Sequence, residues 1–190
     1  MTTVIPKRGI KVKVVGIIGG PKHDGNTYKL VRAVLDGALE AGHTVVTYRL
    51  RDIYLGQIGY FENKTLFPLD DFEKMQPNLE SMGALVLGAP IWYGQVDVRT
   101  LNFITRTYYY NKHYSEENAE KWPNAQPVNV ITYGQKAEDK YDNVLEWLDG
   151  VWDWYGMKKF INIKAAGTGD NPVEKRKELL AQAKEIGRNL

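Results

Sequence analysis

Five short apolar runs, each followed by polar loops or stretches of helical periodicity, constrain this chain more than any other feature. They lie at residues 12–18, 44–48, 84–88, 128–132 and 160–164. Between the first two, residues 28–42 carry Leu30, Val31, Val34, Leu35, Ala38 and Leu39 at helical spacing and stop at Gly42. Further helices are expected over 70–82, 98–108, 141–155 and 172–189, the first with Pro77 at a break or kink. Short apolar strands alternating with helices predict an α/β fold: a five-stranded parallel sheet with helices on both faces. Ligands of such sheets bind outside the carboxyl ends of the strands, where strand order reverses. Three loops should converge there, 19–27, 89–97 and 133–140. No repeat or low-complexity linker divides the 190 residues, so one domain over 1–190 is expected. Residues 110–126, polar and aromatic without a clear period, read as an insertion.

Composition removes several function classes. A formal charge of +2 with no long basic block gives no reason to expect nucleic acid as a partner. The chain has no cysteine, which excludes disulfides, thiolate catalysis and cysteine-ligated metal or iron–sulfur clusters. No apolar segment is long enough to span a bilayer, and residues 1–13 lack the apolar core of a signal peptide. A cytoplasmic protein without membrane contact is the expectation.

The first loop reads Gly19-Gly20-Pro21-Lys22-His23-Asp24-Gly25-Asn26-Thr27, between an apolar run and a helix start. That order gathers free backbone N–H groups and the positive end of a helix dipole around one point, which suits a phosphate. Residues 20–27 nearly fit G-x-x-x-x-G-K-[ST], but Asn26 stands where the lysine for outer phosphates belongs. The glycine spacing is also wrong for a dinucleotide, and the second run ends in Arg49-Leu50-Arg51 instead of an acidic residue. A smaller phosphate remains, held by backbone N–H groups with Asn26 and Thr27 as side-chain donors. The plain alternative is an ordinary turn with Asn26 or Thr27 as helix N-cap.

The second loop, Ala89-Pro90-Ile91-Trp92-Tyr93-Gly94-Gln95, follows a buried run with two aromatics and a glycine. The third, Thr132-Tyr133-Gly134-Gln135, repeats the glycine and the aromatic. Aromatic walls and close backbone approach suit a flat ring, although Trp92 and Tyr93 are equally compatible with a core or interface. Together the three loops point to a planar heterocycle carrying a phosphate.

These motifs resemble those of the flavodoxin-like NAD(P)H-dependent flavin mononucleotide (FMN) reductases, especially the branch that includes the iron–sulfur flavoproteins. The family pattern G-S-x-R-x-x-G/S-N-T is similar to residues 19–27, and S-P-[IV]-Y-[FW]-G to Ala89-Pro90-Ile91-Trp92-Tyr93-Gly94. The helix pattern L-K-x-F-I-D-R is echoed by Leu101-Asn102-Phe103-Ile104-Thr105-Arg106, and the resemblance covers roughly residues 12–165. It implies that Gly20, Lys22, Gly25, Asn26 and Thr27 surround the FMN phosphate. Pro90, Ile91, Trp92, Tyr93 and Gly94 would border the isoalloxazine ring, with Tyr133, Gly134 and Gln135 on its other side. The departures are Gly20 for serine, Lys22 for arginine and Ala89 for serine. The cysteine run C-I-G-C-F-x-C of the iron–sulfur branch is replaced by Gln57-Ile58-Gly59-Tyr60-Phe61-Glu62-Asn63, so every cluster ligand is gone.

The resemblance implies an FMN-dependent oxidoreductase that takes a hydride from NAD(P)H for a quinone, flavin or other small organic acceptor. It also implies a homodimer or homotetramer. No protein acid or base is required, so no catalytic side chain and no metal ligand is expected. A flavoenzyme dedicated to one metabolite, a one-electron carrier of the flavodoxin type and a flavin-free scaffold are the alternatives. Outside the loops, His23, His43 and His113 are scattered, and Asp70-Asp71 and Glu116-Glu117 read as solvated charges. Tyr108-Tyr109-Tyr110, His113, Tyr114 and Trp122 are expected to pack under the insertion or at a subunit contact, with a lid over the ring as the sharper reading. Trp147, Trp152 and Trp154 are expected in the core or at a dimer interface.

Overall fold

The computed structural model describes residues 10–190; the stretch 1–9, over which a leader was considered, lies outside them. Parallel strands β1 (Lys13–Ile18), β2 (Thr44–Arg49), β5 (Ala84–Trp92), β7 (Gln126–Thr132) and β8 (Ile161–Ala165) form the main sheet. Their order is β2-β1-β5-β7-β8. The chain leaves β1 toward β2 on one side and returns to β5 on the other, so strand order reverses between β1 and β5. The three inner strands are apolar along nearly their whole length because helices cover both of their faces. On one face α1 (Asn26–Ala41) and α6 (Lys177–Arg188) pack Leu30, Val31, Val34 and Ala183 against Val14, Val86 and Val128. On the other, α2 (Phe72–Leu79), α3 (Val98–Arg106) and α5 (Asp142–Trp154) bring Phe72, Met75, Phe103, Leu148 and Trp152 onto Val15, Leu85 and Ile131.

The architecture agrees with the expected parallel sheet, with differences at its margins. The third expected strand continues past Gly88 to Trp92 and folds back on β6 (Gln95–Val96) in an antiparallel hairpin. Tyr93 and Gly94 form its two-residue turn, with φ of 51° and 85°, the backbone that type I′ turns demand. Strands β3 (Gly59–Phe61) and β4 (Lys64–Leu66) make a second, separate hairpin. Pro77 lies inside α2, which continues through it without a break, and α6 begins at Lys177 after a short 3-10 turn, Val173–Lys175.

The segment 110–126, read from the sequence as an insertion, contains α4 (Glu116–Glu120), whose Glu116 and Glu117 lie in an exposed first turn as expected of solvated charges. Tyr110 and Trp122 pack inward, Tyr110 against Trp122 at 4.8 Å between centroids and Trp122 against Tyr155 at 5.2 Å, while Tyr114 is exposed. Trp152 is buried and donates its indole N–H to Asn129 Oδ1 at 2.8 Å, while Trp154 is exposed.

Asp70 corrects the sequence reading. It is not a solvated charge: its side chain is wholly buried and pairs with Arg106 at 2.6 Å. Arg106 also donates to the Gly56 carbonyl at 3.0 Å, and Asp70 accepts from Gly56 N at 2.6 Å and Phe72 N at 2.9 Å. The pair ties the segment after β2 to α3.

His43, between α1 and β2, accepts a hydrogen bond on Nδ1 from Val12 N at 3.2 Å, which requires that nitrogen to be unprotonated. Burial, reinforced by the Lys11 charge, holds its pKa below the ordinary histidine value. The unfolded chain therefore takes up this proton more readily than the folded one. The contribution to stability is complete above about pH 6.5 and is lost as pH falls through the lowered folded value. Urea titrations should show stability declining from about pH 6.5 downward, with a flatter decline in His43→Gln. Parallel declines in the two proteins would dismiss this role for His43.

Candidate functional site

A cavity of about 190 Å³ opens at the carboxyl ends of β1, β5 and β7, at the reversal of strand order. The first loop contributes Gly19, Gly20, Pro21 and Lys22, and the start of α1 contributes Gly25, Asn26, Thr27 and Tyr28. Pro90, Ile91 and Trp92 come from the end of β5, and Thr132, Tyr133 and Gly134 from the end of β7. Thr168, after β8, completes the lining. The three loops thus meet as their positions at strand ends predicted. Tyr93, Gly94 and Gln135 are the exceptions among the expected residues and do not line the cavity. Tyr93 and Gly94 form the hairpin turn, and Gln135 accepts from Gly167 N through its carbonyl at 2.6 Å.

Backbone donors dominate the first loop. Gly25 is the N-cap of α1 in extended conformation and no side chain caps the helix, so neither Asn26 nor Thr27 plays the ordinary capping role. Backbone N–H groups from Lys22 to Tyr28 donate to no described residue. The first turn of α1 carries no acidic residue, so its dipole is uncompensated. An uncapped N-terminus at a cavity is where an anion is favoured.

The side chains have other partners. Asn26 Oδ1 accepts from Val173 N at 2.9 Å, which ties α1 to the turn before α6 and leaves the amide NH2 unassigned. Thr27 Oγ1 and Thr132 Oγ1 share a buried hydrogen bond of 2.6 Å. Of their two hydroxyl protons one is used between them, so the pair retains one to donate outward. Tyr133 is 3% exposed, its hydroxyl donating to Glu138 O at 2.6 Å and its ring meeting Tyr141 edge-on at 4.9 Å. Burial raises the pKa of that hydroxyl, so it stays a neutral donor. The Tyr/Trp cluster around residues 108–122 contributes nothing to the cavity lining.

Gly20 has φ of +85°, and a Cβ there would lie 2.9 Å from Pro90 Cγ. Serine at this position is thus opposed by both backbone and neighbour. Gly134 is the opposite case: a Cβ would meet nothing within 4 Å.

Sequence reasoning missed Gly19, Pro21, Tyr28, Thr132 and Thr168 in the lining, and it missed two arginines beneath it. Arg51 Nη1 donates to Pro21 O at 2.7 Å, and Arg49 Nη2 donates to His23 O. Arg49 also lies over the Tyr28 ring, 4.7 Å from its centroid, and its Nη1 is 3.3 Å from His23 Nε2. His23 is therefore engaged with the sheet and is absent from the cavity lining. The available signal was Arg49-Leu50-Arg51 at the end of β2, which touches the loop once β2 and β1 are neighbours. Among the described residues no cluster of histidine and carboxylates could hold a metal, and no helix is long and apolar enough to cross a membrane.

Comparison with known proteins adds identity to this geometry. The sequence model of the family described as NADPH-dependent FMN reductase matches residues 12–151. An iron–sulfur flavoprotein of Methanocaldococcus jannaschii is 29% identical over 100 residues, which cover 50% of this chain and 52% of that protein. An NAD(P)H dehydrogenase (quinone) of Archaeoglobus fulgidus is 34% identical over 89 residues, covering 44% and 46% respectively. The chain spans about half the length of the curated relatives it matches. Among solved structures, an NAD(P)H:quinone oxidoreductase from Methanothermobacter marburgensis superposes with a TM-score of 0.72 at 18% identity, over 95% of this chain and 97% of that one. An azoreductase from Bacillus anthracis gives 0.69 at 16% identity, over 94% and 99%. At such identities the superpositions establish a shared flavodoxin-like fold.

Proposed function

Because this chain belongs to the NADPH-dependent FMN reductase family, we propose that it is an NAD(P)H-dependent oxidoreductase that holds FMN in the cavity at the ends of β1, β5 and β7. Its acceptor is a quinone, a flavin or another small organic molecule. Bound FMN would supply the electron chemistry between donor and acceptor. The observation that carries the reading is the row of N–H groups from Lys22 to Tyr28 that donate to no described residue, at a helix start without a side-chain cap.

The residues fit a flavin phosphate. Backbone N–H groups at the start of α1 would bind its oxygens, the Thr27–Thr132 pair has one proton to offer, and the Lys22 ammonium supplies charge. Pro90, Ile91 and Trp92 offer an apolar border for a ring, and Gly134 leaves open the space a side chain would fill. Tyr93, Gly94 and Gln135, outside the cavity, would contact only the parts of the cofactor that reach past its rim. In this reading the protein binds, orients and excludes water.

The proposal extends to assembly and location. Trp92, Tyr93, Val98 and Leu101 expose apolar surface beside the cavity, which supports a homodimer or homotetramer. A nicotinamide donor argues for the cytoplasm, and nothing in the charge distribution asks for nucleic acid.

Protein reconstituted with FMN should show flavin absorption bands that bleach when NADPH is added without oxygen. Protein that remains colourless rules the reading out. Gly134→Val sharpens the test, since its side chain enters open cavity and its backbone is not in the left-handed region. FMN affinity should fall at least about tenfold while thermal stability of the cofactor-free protein stays within about 1 kcal/mol. Unchanged affinity would place the ligand elsewhere.

A further inference from the structure

We propose that Arg49 and Arg51 are positioning residues for phosphate recognition, holding the backbone of the 19–27 loop so that its N–H groups face the anion; this rests on the FMN reading above. A loop that binds an anion through N–H groups must turn its carbonyls away, because a carbonyl oxygen aimed at a phosphate repels it. The carbonyls so displaced then need donors of their own.

Both arginines meet that need. Arg51 Nη1 donates to Pro21 O at 2.7 Å, and Arg49 Nη2 donates to His23 O. The described peptide bonds are all trans, so each carbonyl and the next residue's N–H point in opposite directions. Fixing the Pro21 and His23 carbonyls onto the arginines therefore turns the Lys22 and Asp24 N–H groups away from the end of β2. Neither N–H has a partner among the described residues, and neither guanidinium lines the cavity.

The arginines are themselves held. Arg49 lies on the Tyr28 ring with Asp52 3.6 Å from its Nε, and Arg51 Nε donates to Asp52 Oδ1 at 3.1 Å. The position of this brace at the end of β2, with Arg49 its last residue and Arg51 in the turn that follows, next to β1 in the sheet, gives the loop a rigid support beneath it. It offers a physical substitute for the donors this loop lacks, since Gly20 has no side chain and Lys22 no planar fork.

The test compares FMN with riboflavin, which has the same ring and no phosphate. In Arg51→Gln and Arg49→Gln, flavin fluorescence titrations should show FMN affinity falling about tenfold or more, with riboflavin affinity within about twofold of wild type. Arg51→Lys keeps the charge and one donor and should recover most of the FMN preference. Arg51 is the more exposed of the two, so its variants carry the test should Arg49→Gln fail to fold. Equal losses for FMN and riboflavin, or no loss for either, would overturn the positioning role. Wild-type protein that binds riboflavin as tightly as FMN also overturns it while sparing a flavin site. Wild-type protein that binds neither overturns the cofactor reading itself, and this role with it.

Discussion

Replacing Asp70 with alanine should lower the free energy of unfolding by about 3–5 kcal/mol, as expected for breaking a buried ion pair from one side. The carboxylate is fully buried and receives two bonds from Arg106, at 2.6 and 3.2 Å. It also receives Gly56 N and Phe72 N. Without it the guanidinium stays buried against the Phe67 and Phe72 rings, with the Gly56 carbonyl as its remaining hydrogen-bond acceptor. Arg106 Nε has no partner among the described residues, so the described site holds no spare acceptor. The cost therefore comes from the charge left behind more than from the bond removed. Joint replacement of Asp70 and Arg106 by leucine and methionine should recover much of the loss, because it removes both charges together. Urea unfolding of the three variants checks this. An Asp70→Ala protein within about 1 kcal/mol of wild type would show that the charge finds other solvation.

The same pair marks where reading the sequence stops. Asp70 beside Asp71 at a helix start has the local pattern of a solvated N-terminal charge, and its partner lies 36 residues away on another helix. Thr27 and Thr132, which share a hydrogen bond inside the cavity, are 105 residues apart. Such contacts follow from strand order, which periodicity does not encode. What was legible is local: the apolar runs, the glycine and proline at their ends, and the strand–loop–helix order at residues 12–30. These place the 19–27 loop, the Pro90–Trp92 segment and Gly134 at one end of a parallel sheet without any long-range contact being known. The hairpin at Tyr93-Gly94 went unread because tyrosine seldom takes positive φ, so only its glycine advertised a turn. Arg49 and Arg51 were noticed for the charge they bring to the end of β2. Their bracing role needed the knowledge that β2 lies beside β1.

Gly19→Ala should damage fold and site together, lowering stability by about 3 kcal/mol through overpacking and loss of a helix cap. Its Cβ would fall inside the contact radius of Thr100 Oγ1, and lie 2.5 Å from Asp97 Oδ2 and 3.0 Å from the Gly88 carbonyl. None of these can yield cheaply. Thr100 is fully buried, Asp97 caps α3 by accepting from Arg99 N at 3.1 Å, and Thr100 donates to Asp97 at 2.5 Å. Gly19 cannot retreat either, since its own N–H is bonded to Gly88 O at 2.8 Å. The residue stands where the first loop leaves β1 and meets the segment following β5, so a shift here separates two walls of the cavity. FMN affinity should therefore fall along with stability, unlike Gly134→Val, where only affinity falls. Removing the obstruction with Thr100→Ala in the same chain should make the double variant more stable than the sum of the single changes by about 1 kcal/mol or more. Additive losses would mean that the alanine is accommodated by backbone movement and that the Asp97–Thr100 contact does not set the spacing of the two loops.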